Sequence, residues 1–252
     1  MMTLTDGLLL ASAAFAAGVL NAIAGGGSFL TFPALVFTGV NPIVANATSA
    51  VAVSPGYLGS ALGMRDELAR VPPHRLRMEA SIAAVGGVVG SLLLLITPAS
   101  AFRAIVPWLL LFATVVFMAG PRCVRWLAEH RGGFPGRGAR TWGLAAVSVY
   151  GGYFNGGLGI LLMALYTATG ESRIHTANAL KNLHSLVLSL LSVATFALVG
   201  AIAWGPAVLM MAAATAGGYA GAHGARRLPA AAVRAVVIGT GVVMSAIFFW
   251  RG

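Results

Sequence analysis

Ten apolar runs, separated by short stretches that hold nearly all of the charge, constrain this chain more than any other feature. They fall at about residues 7–23, 28–39, 43–63, 80–96, 104–120, 141–153, 157–169, 177–200, 205–223 and 233–250. Several approach the roughly 20 residues that a helix needs to cross a bilayer, whereas 28–39, 141–153 and 157–169 are too short to cross comfortably. Strand alternation is absent, so the runs read as helices and not as a barrel. With 58% hydrophobic and 9% charged residues, against about 25% charged in soluble domains, the expected class is an all-α integral membrane protein, with the lipid bilayer as its partner.

The net charge of +10 does not point to nucleic acid. A nucleic-acid face needs clustered charge and stacking aromatics on a soluble domain, and here the arginines sit in loops. Cys123 is the only cysteine, which excludes an intrachain disulfide and a thiol metal site, and the histidines show no metal spacing. No metal and no cofactor is expected. The segment "ASAAFAAG" imitates a signal-peptidase site, but no basic residue precedes the apolar run, so it reads as part of the first helix.

An internal repeat orders the runs. Shifting the chain by 131 residues aligns Gly25, Gly26 and Gly39 with Gly156, Gly157 and Gly170, and Gly86, Gly87 and Gly90 with Gly217, Gly218 and Gly221. Pro98, Ala99, Arg103 and Ala104 then fall on Pro229, Ala230, Arg234 and Ala235. Such duplication is common in transporters. It divides the chain into a first repeat (1–120), a basic cytoplasmic linker (121–140) and a second repeat (141–252).

Lys and Arg in short loops favour the cytoplasmic side. The loop with Arg65, Arg70, Arg75 and Arg77 is therefore placed inside, as are the linker with Arg122, Arg125, Arg131, Arg137 and Arg140 and the loop with Arg226 and Arg227. The stretch near Pro98, with Arg103 alone, is placed outside. The repeats are then inverted, with about eight transmembrane segments: six full spans plus two broken or re-entrant hairpins, 7–39 and 141–169. Each hairpin tip carries a glycine break, "NAIAGGGS" or "NGGLG". Irregular backbone inside a membrane is tolerated only when packed in protein or lining a cavity, so the breaks read as binding elements.

The polar residues sharpen this reading. All six asparagines, Asn21, Asn41, Asn46, Asn155, Asn178 and Asn182, lie in the glycine breaks or the segments that follow them. Asn21 and Asn155 have a second reading, as caps of the broken helices. "HTANALKNLHSL" places Asn178, Lys181, Asn182 and Ser185 on one helical face, and "ANATSA" does the same for Asn46 and Ser49, with Thr48 alongside. Lys181 is the only lysine, and every carboxylate, Glu79 among them, is placed in a loop or at a segment end. Broken helix starts, hydroxyls, amides and one ammonium suit an anion, and argue against a sodium site or carboxylate relay. Lys181 snorkelling to the interface is the alternative. His184 is open to two roles, packing or proton shuttling.

At these residues the chain resembles the TauE/SafE sulfite exporter family, also called the toluene sulfonate uptake permease family. The resemblance covers nearly the whole chain and rests on "NAIAGGGSFLTFPAL...G...P..ANATS" and on "GGYFNGGLGILLMALY" followed by "ANALKN". It implies a non-enzymatic carrier of small sulfur-containing anions, such as sulfite, sulfonates and sulfoacetate, in the bacterial cytoplasmic membrane. By resemblance Asn21, Gly25, Gly26, Gly27, Ser28, Pro33, Ala47, Thr48 and Ser49 match the first motif. Asn155, Gly156, Gly157, Gly159, Asn178, Lys181 and Asn182 match the second. Some relatives have threonine where this chain reads Leu180, which leaves the anion within the class open. Two other classes compete: an intramembrane enzyme with Ser28 as nucleophile, for which only folding would supply His184 as base, and a non-transporting scaffold.

Overall fold

The computed structural model describes residues 3–23, 26–130, 136–224 and 230–251. Among them it contains helices and no strand: α1 (Leu4–Ile23), α2 (Ser28–Phe37), α3 (Pro42–Gly63), α4 (Arg65–Ala69), α5 (Pro73–Ile96) and α6 (Ala99–His130). After these come α7 (Arg137–Tyr153), α8 (Leu158–Ala168), α9 (Ile174–Leu198), α10 (Trp204–Gly224) and α11 (Ala230–Arg251).

Several backbone features recur at the same 131-residue spacing. α5 and α10 begin 131 residues apart, at Pro73 and Trp204, and so do α6 and α11, at Ala99 and Ala230. Gly26 and Gly157 both have left-handed φ, 92° and 79°, and so do Gly39 and Gly170, 83° and 91°. The last pair closes α2 and α8 identically: Val40 N–H donates to the Leu35 carbonyl (3.1 Å) and Glu171 N–H to that of Tyr166 (3.0 Å). Left-handed backbone costs an ordinary L-residue roughly 1–2 kcal/mol, which is why glycine occupies these positions. Among the described residues, the helix α4 has no counterpart in the second half.

The halves interlock. α1 packs chiefly on α10 and α5 on α7, so the first arm of each hairpin lies against a helix of the other half, while α3 pairs with α9 and α6 with α11. The aligned glycines permit this. A methyl group on Gly217 would fall 2.0 Å from the Phe15 carbonyl oxygen, and one on Gly90 2.1 Å from that of Val149. Backbones this close favour helix association in lipid, where apolar side chains gain little by meeting each other.

Side chains gather one end of the bundle. Arg140 Nε donates to Thr169 Oγ1 at 3.1 Å, which joins the start of α7 to the end of α8 as a hairpin. Arg75 Nη1 donates to Glu171 Oε2 (3.0 Å), and Thr176 Oγ1 to Glu67 Oε2 (2.9 Å), which bring α4, α5 and the start of α9 to the same end.

Among the described residues, four stretches are long and apolar enough to cross a membrane: Leu4–Asn21, Pro73–Ile96, Ala99–Ala119 and Ile174–Leu198. Three of these fall among the six full spans expected, and the fourth, Leu4–Asn21, is the first arm of the hairpin 7–39. Polar groups and glycines account for part of the difference: α3 carries Asn46, Thr48, Ser49 and Ser54 along its length, and α10 is rich in glycine and alanine. Within the segment 121–140, α6 runs on through His130 and α7 begins at Arg137. Glu79 corrects a sequence expectation outright. It lies inside α5, only 1% exposed, because α8 and α9 of the second half cover the first turns of that helix.

Candidate functional site

A cavity of about 490 Å³ runs from the hairpin tips to the C-terminal end of α3, where Ser60, Gly63 and Met64 border it. Its wall brings together five of the residues singled out by sequence: Asn21 and Gly26 from the first hairpin, Gly159 from the second, and Lys181 and Asn182 from α9. Gly18, Val53, Pro55, Tyr57, Thr215 and Gly218 complete much of the remainder. Gly26 stands just before α2 and Gly159 is the second residue of α8, so the N-terminal ends of both broken helices border one space. Such ends present backbone N–H groups and a partial positive charge.

Lys181 is 7% exposed. Its stem packs over Gly159, where an added methyl group would lie 3.7 Å from Lys181 Cδ. Among the described residues no carboxylate pairs with its ammonium. Glu79 and Glu171 are both bound to Arg75, Glu67 to Arg70 and Asp66 to Arg65. Burying an ammonium without a counter-ion is costly, and an anion in the cavity would offset that cost.

The other candidates are placed elsewhere or take structural work. Asn21 Oδ1 accepts the Gly27 N–H at 2.8 Å, so Asn21 braces the break just before α2 and also lines the cavity. Asn46 reaches the second hairpin, donating to the Tyr153 carbonyl (3.1 Å) and accepting from Asn155 N–H (3.3 Å). Thr48 accepts the Ala203 N–H (3.1 Å), and Ser49 bonds Thr31 (2.6 Å). Asn178 and Asn182 direct Nδ2 at the Met64 sulfur, 3.7 and 3.8 Å away, a weak acceptor. Ser28 is buried, and His184, the base that only folding could have supplied to it, bonds Tyr166 instead. Gly156 gives its carbonyl to Tyr150 Oη (2.9 Å), and Gly157 begins α8 against Ala113 and Phe29. The Asn155 side chain does not cap α8: it is buried with both Oδ1 and Nδ2 unpartnered. Gly25 lies outside the described residues.

On the far side, a hollow of about 300 Å³ lies between Asn41, Pro42, Arg103 and Phe248. Asn41 there caps α3 through Ile43 N–H (3.0 Å) and joins no polar centre. Phe32 stacks on Phe248 and meets Phe154 edge-on, with ring centroids 5.8 and 5.4 Å apart, and Phe102 packs beside them.

Sequence reasoning missed one polar cluster. Glu79 accepts from Arg75 Nε (2.9 Å) and Tyr166 Oη (3.1 Å), and Tyr166 Oη also bonds His184 Nδ1 (2.6 Å). The available signal was the i, i+4 spacing of Arg75 and Glu79, which puts them on one helical face.

Comparison with known proteins agrees with this architecture. A "Probable membrane transporter protein" of Haemophilus influenzae is 28% identical over 212 residues, covering 82% of this chain and 80% of its own length. The "Probable membrane transporter protein YfcA" of Escherichia coli is 25% identical over 248 residues, covering 92% of this chain and 86% of its own. No solved structure gives a significant match. The model of the family described as "Sulfite exporter TauE/SafE" matches residues 10–248, so this chain is a multi-pass membrane protein that belongs to the TauE/SafE transporter family.

Proposed function

We propose that the chain is a secondary transporter of small sulfur-containing anions, such as sulfite or organosulfonates, and that the cavity at Lys181 is the binding site. The observation that carries this reading is a buried ammonium with no carboxylate partner among the described residues, facing a cavity that the ends of two broken helices also border. The family description supports the substrate class. The paired left-handed glycines, the exchange of packing partners between halves and the bonds gathering one end of the bundle support two inverted repeats of about eight transmembrane segments, meeting at this cavity. Since α3 descends from the cavity to Arg65 and the arginine-rich turn, the cavity faces the cytoplasm in this state, and the Phe32, Phe102 and Phe154 block closes the opposite path.

Flux of radiolabelled sulfite and of an organosulfonate into proteoliposomes tests the proposal. Saturable uptake, competed by unlabelled sulfur oxyanions, is the expected result. Flux equal to that of empty liposomes for both probes would overturn it.

A further inference from the structure

A polar cluster outside the cavity is sealed from solvent and unused by anion binding. It joins α5, α8 and α9 through Glu79, Tyr166 and His184, which are all 1% exposed or less. Tyr166 O–H donates to Glu79 Oε2 at 3.1 Å, so its oxygen is left to accept from His184 Nδ1 at 2.6 Å. The network therefore assigns the proton to Nδ1 and the lone pair to Nε2. His184 Nε2 is buried, has no hydrogen-bond partner, and lies 4.0 Å from Glu79 Oε2. A buried basic nitrogen beside a carboxylate, with no described group donating to it, has a lone pair free to accept a proton.

We infer that Glu79, Tyr166 and His184 form a proton-binding site that couples proton movement to anion movement, with one proton taken up per anion. The proton adds to the Nε2 lone pair, no other bond breaks, and the new N–H faces Glu79 Oε2. The imidazolium then closes a ring with Glu79 and Tyr166. The surrounding charges leave this role to His184. On α5, Arg75 is shared between Glu79 and Glu171, while His74 and Arg77 are exposed. On α7, Arg140 is bound to Thr169, and on α4, Glu67 is taken by Arg70 and Thr176. On α3, Tyr57 faces the cavity.

Coupling runs through α9. Lys181 and His184 are three residues apart, one turn of the same helix. An anion against Lys181 favours a positive His184, and a positive His184 favours the anion by the same factor, since linkage is reciprocal. The inference rests on the anion-binding reading of the cavity, and its test separates the two.

The test is calorimetric titration of the detergent-solubilised protein with methanesulfonate, which stays ionised and carries no proton, in buffers of different ionisation heat. Uptake of about one proton per anion is expected, with affinity falling towards about tenfold per unit of rising pH, the limit for one linked proton. His184→Gln and Tyr166→Phe should flatten that dependence. Binding without proton uptake, or uptake that survives in both variants, would overturn the coupling site and leave the anion site standing. If no methanesulfonate binds, nitrogen NMR of histidine-labelled, ligand-free protein decides. Reversible protonation of His184 at Nε2 supports the site, and a ring that stays neutral over the whole folded range rejects it.

Discussion

Lys181 sits 7% exposed beside two asparagine amides, and its chemistry decides the residue scale. At an effective dielectric near 20, a unit charge pair about 4 Å apart gains about 4 kcal/mol, offset in part by desolvation of the anion. A net 2 kcal/mol shifts affinity about thirtyfold. Lys181→Ala should therefore weaken anion binding tenfold or more. Lys181→Arg should restore it only in part, because a planar fork replaces a point charge over Gly159. Arg173, exposed ahead of α9, should tolerate alanine. Titration of the three variants with one sulfonate checks this ordering. An unchanged affinity in Lys181→Ala together with loss in Arg173→Ala would make the lysine an interfacial anchor.

At the scale of elements, the broken hairpins carry the account. Gly26 and Gly157 hold φ of 92° and 79°, and a methyl group on Gly157 would lie 2.7 Å from Ala113 Cβ. Gly26→Leu and Gly157→Leu should abolish transport while the protein still reaches the membrane, because each tilts a helix start away from the cavity. Membrane fractionation and flux, read together, check this, and wild-type flux in both variants would exclude a binding role for the breaks. The glycine breaks before α2 and α8 were legible in the sequence because glycine spacing survives a shift of 131 residues, and the meeting of Lys181 and Asn182 on one wall because helical spacing puts them on a polar face. Asn46, Thr48 and Ser49 were legible as polar but not as braces, since their partners lie up to 155 residues away. Glu79 was misread for the same reason: only the other half of the molecule buries it, and a local hydropathy pattern carries no record of that cover.

For the whole molecule, the two halves are not independent domains, since α1 packs on α10 and α5 on α7. The proposed inverted arrangement would put Arg65 and Arg173 on the cytoplasmic side and Thr5 and Ser100 outside. All four are exposed, so single cysteines there, in a Cys123→Ser background, should label from the corresponding sides of intact cells. Labelling of positions 65 and 173 from opposite sides would break the inverted repeat. The central claim, that a charge inside this fold carries small sulfur-containing anions across the membrane, is tested most directly by radiolabelled sulfite and organosulfonate uptake in proteoliposomes, with the wild type and Lys181→Ala side by side. Saturable uptake by the wild type and an apparent affinity at least tenfold weaker in the variant are expected. Equal uptake by both, or none above empty liposomes for either anion, would contradict it.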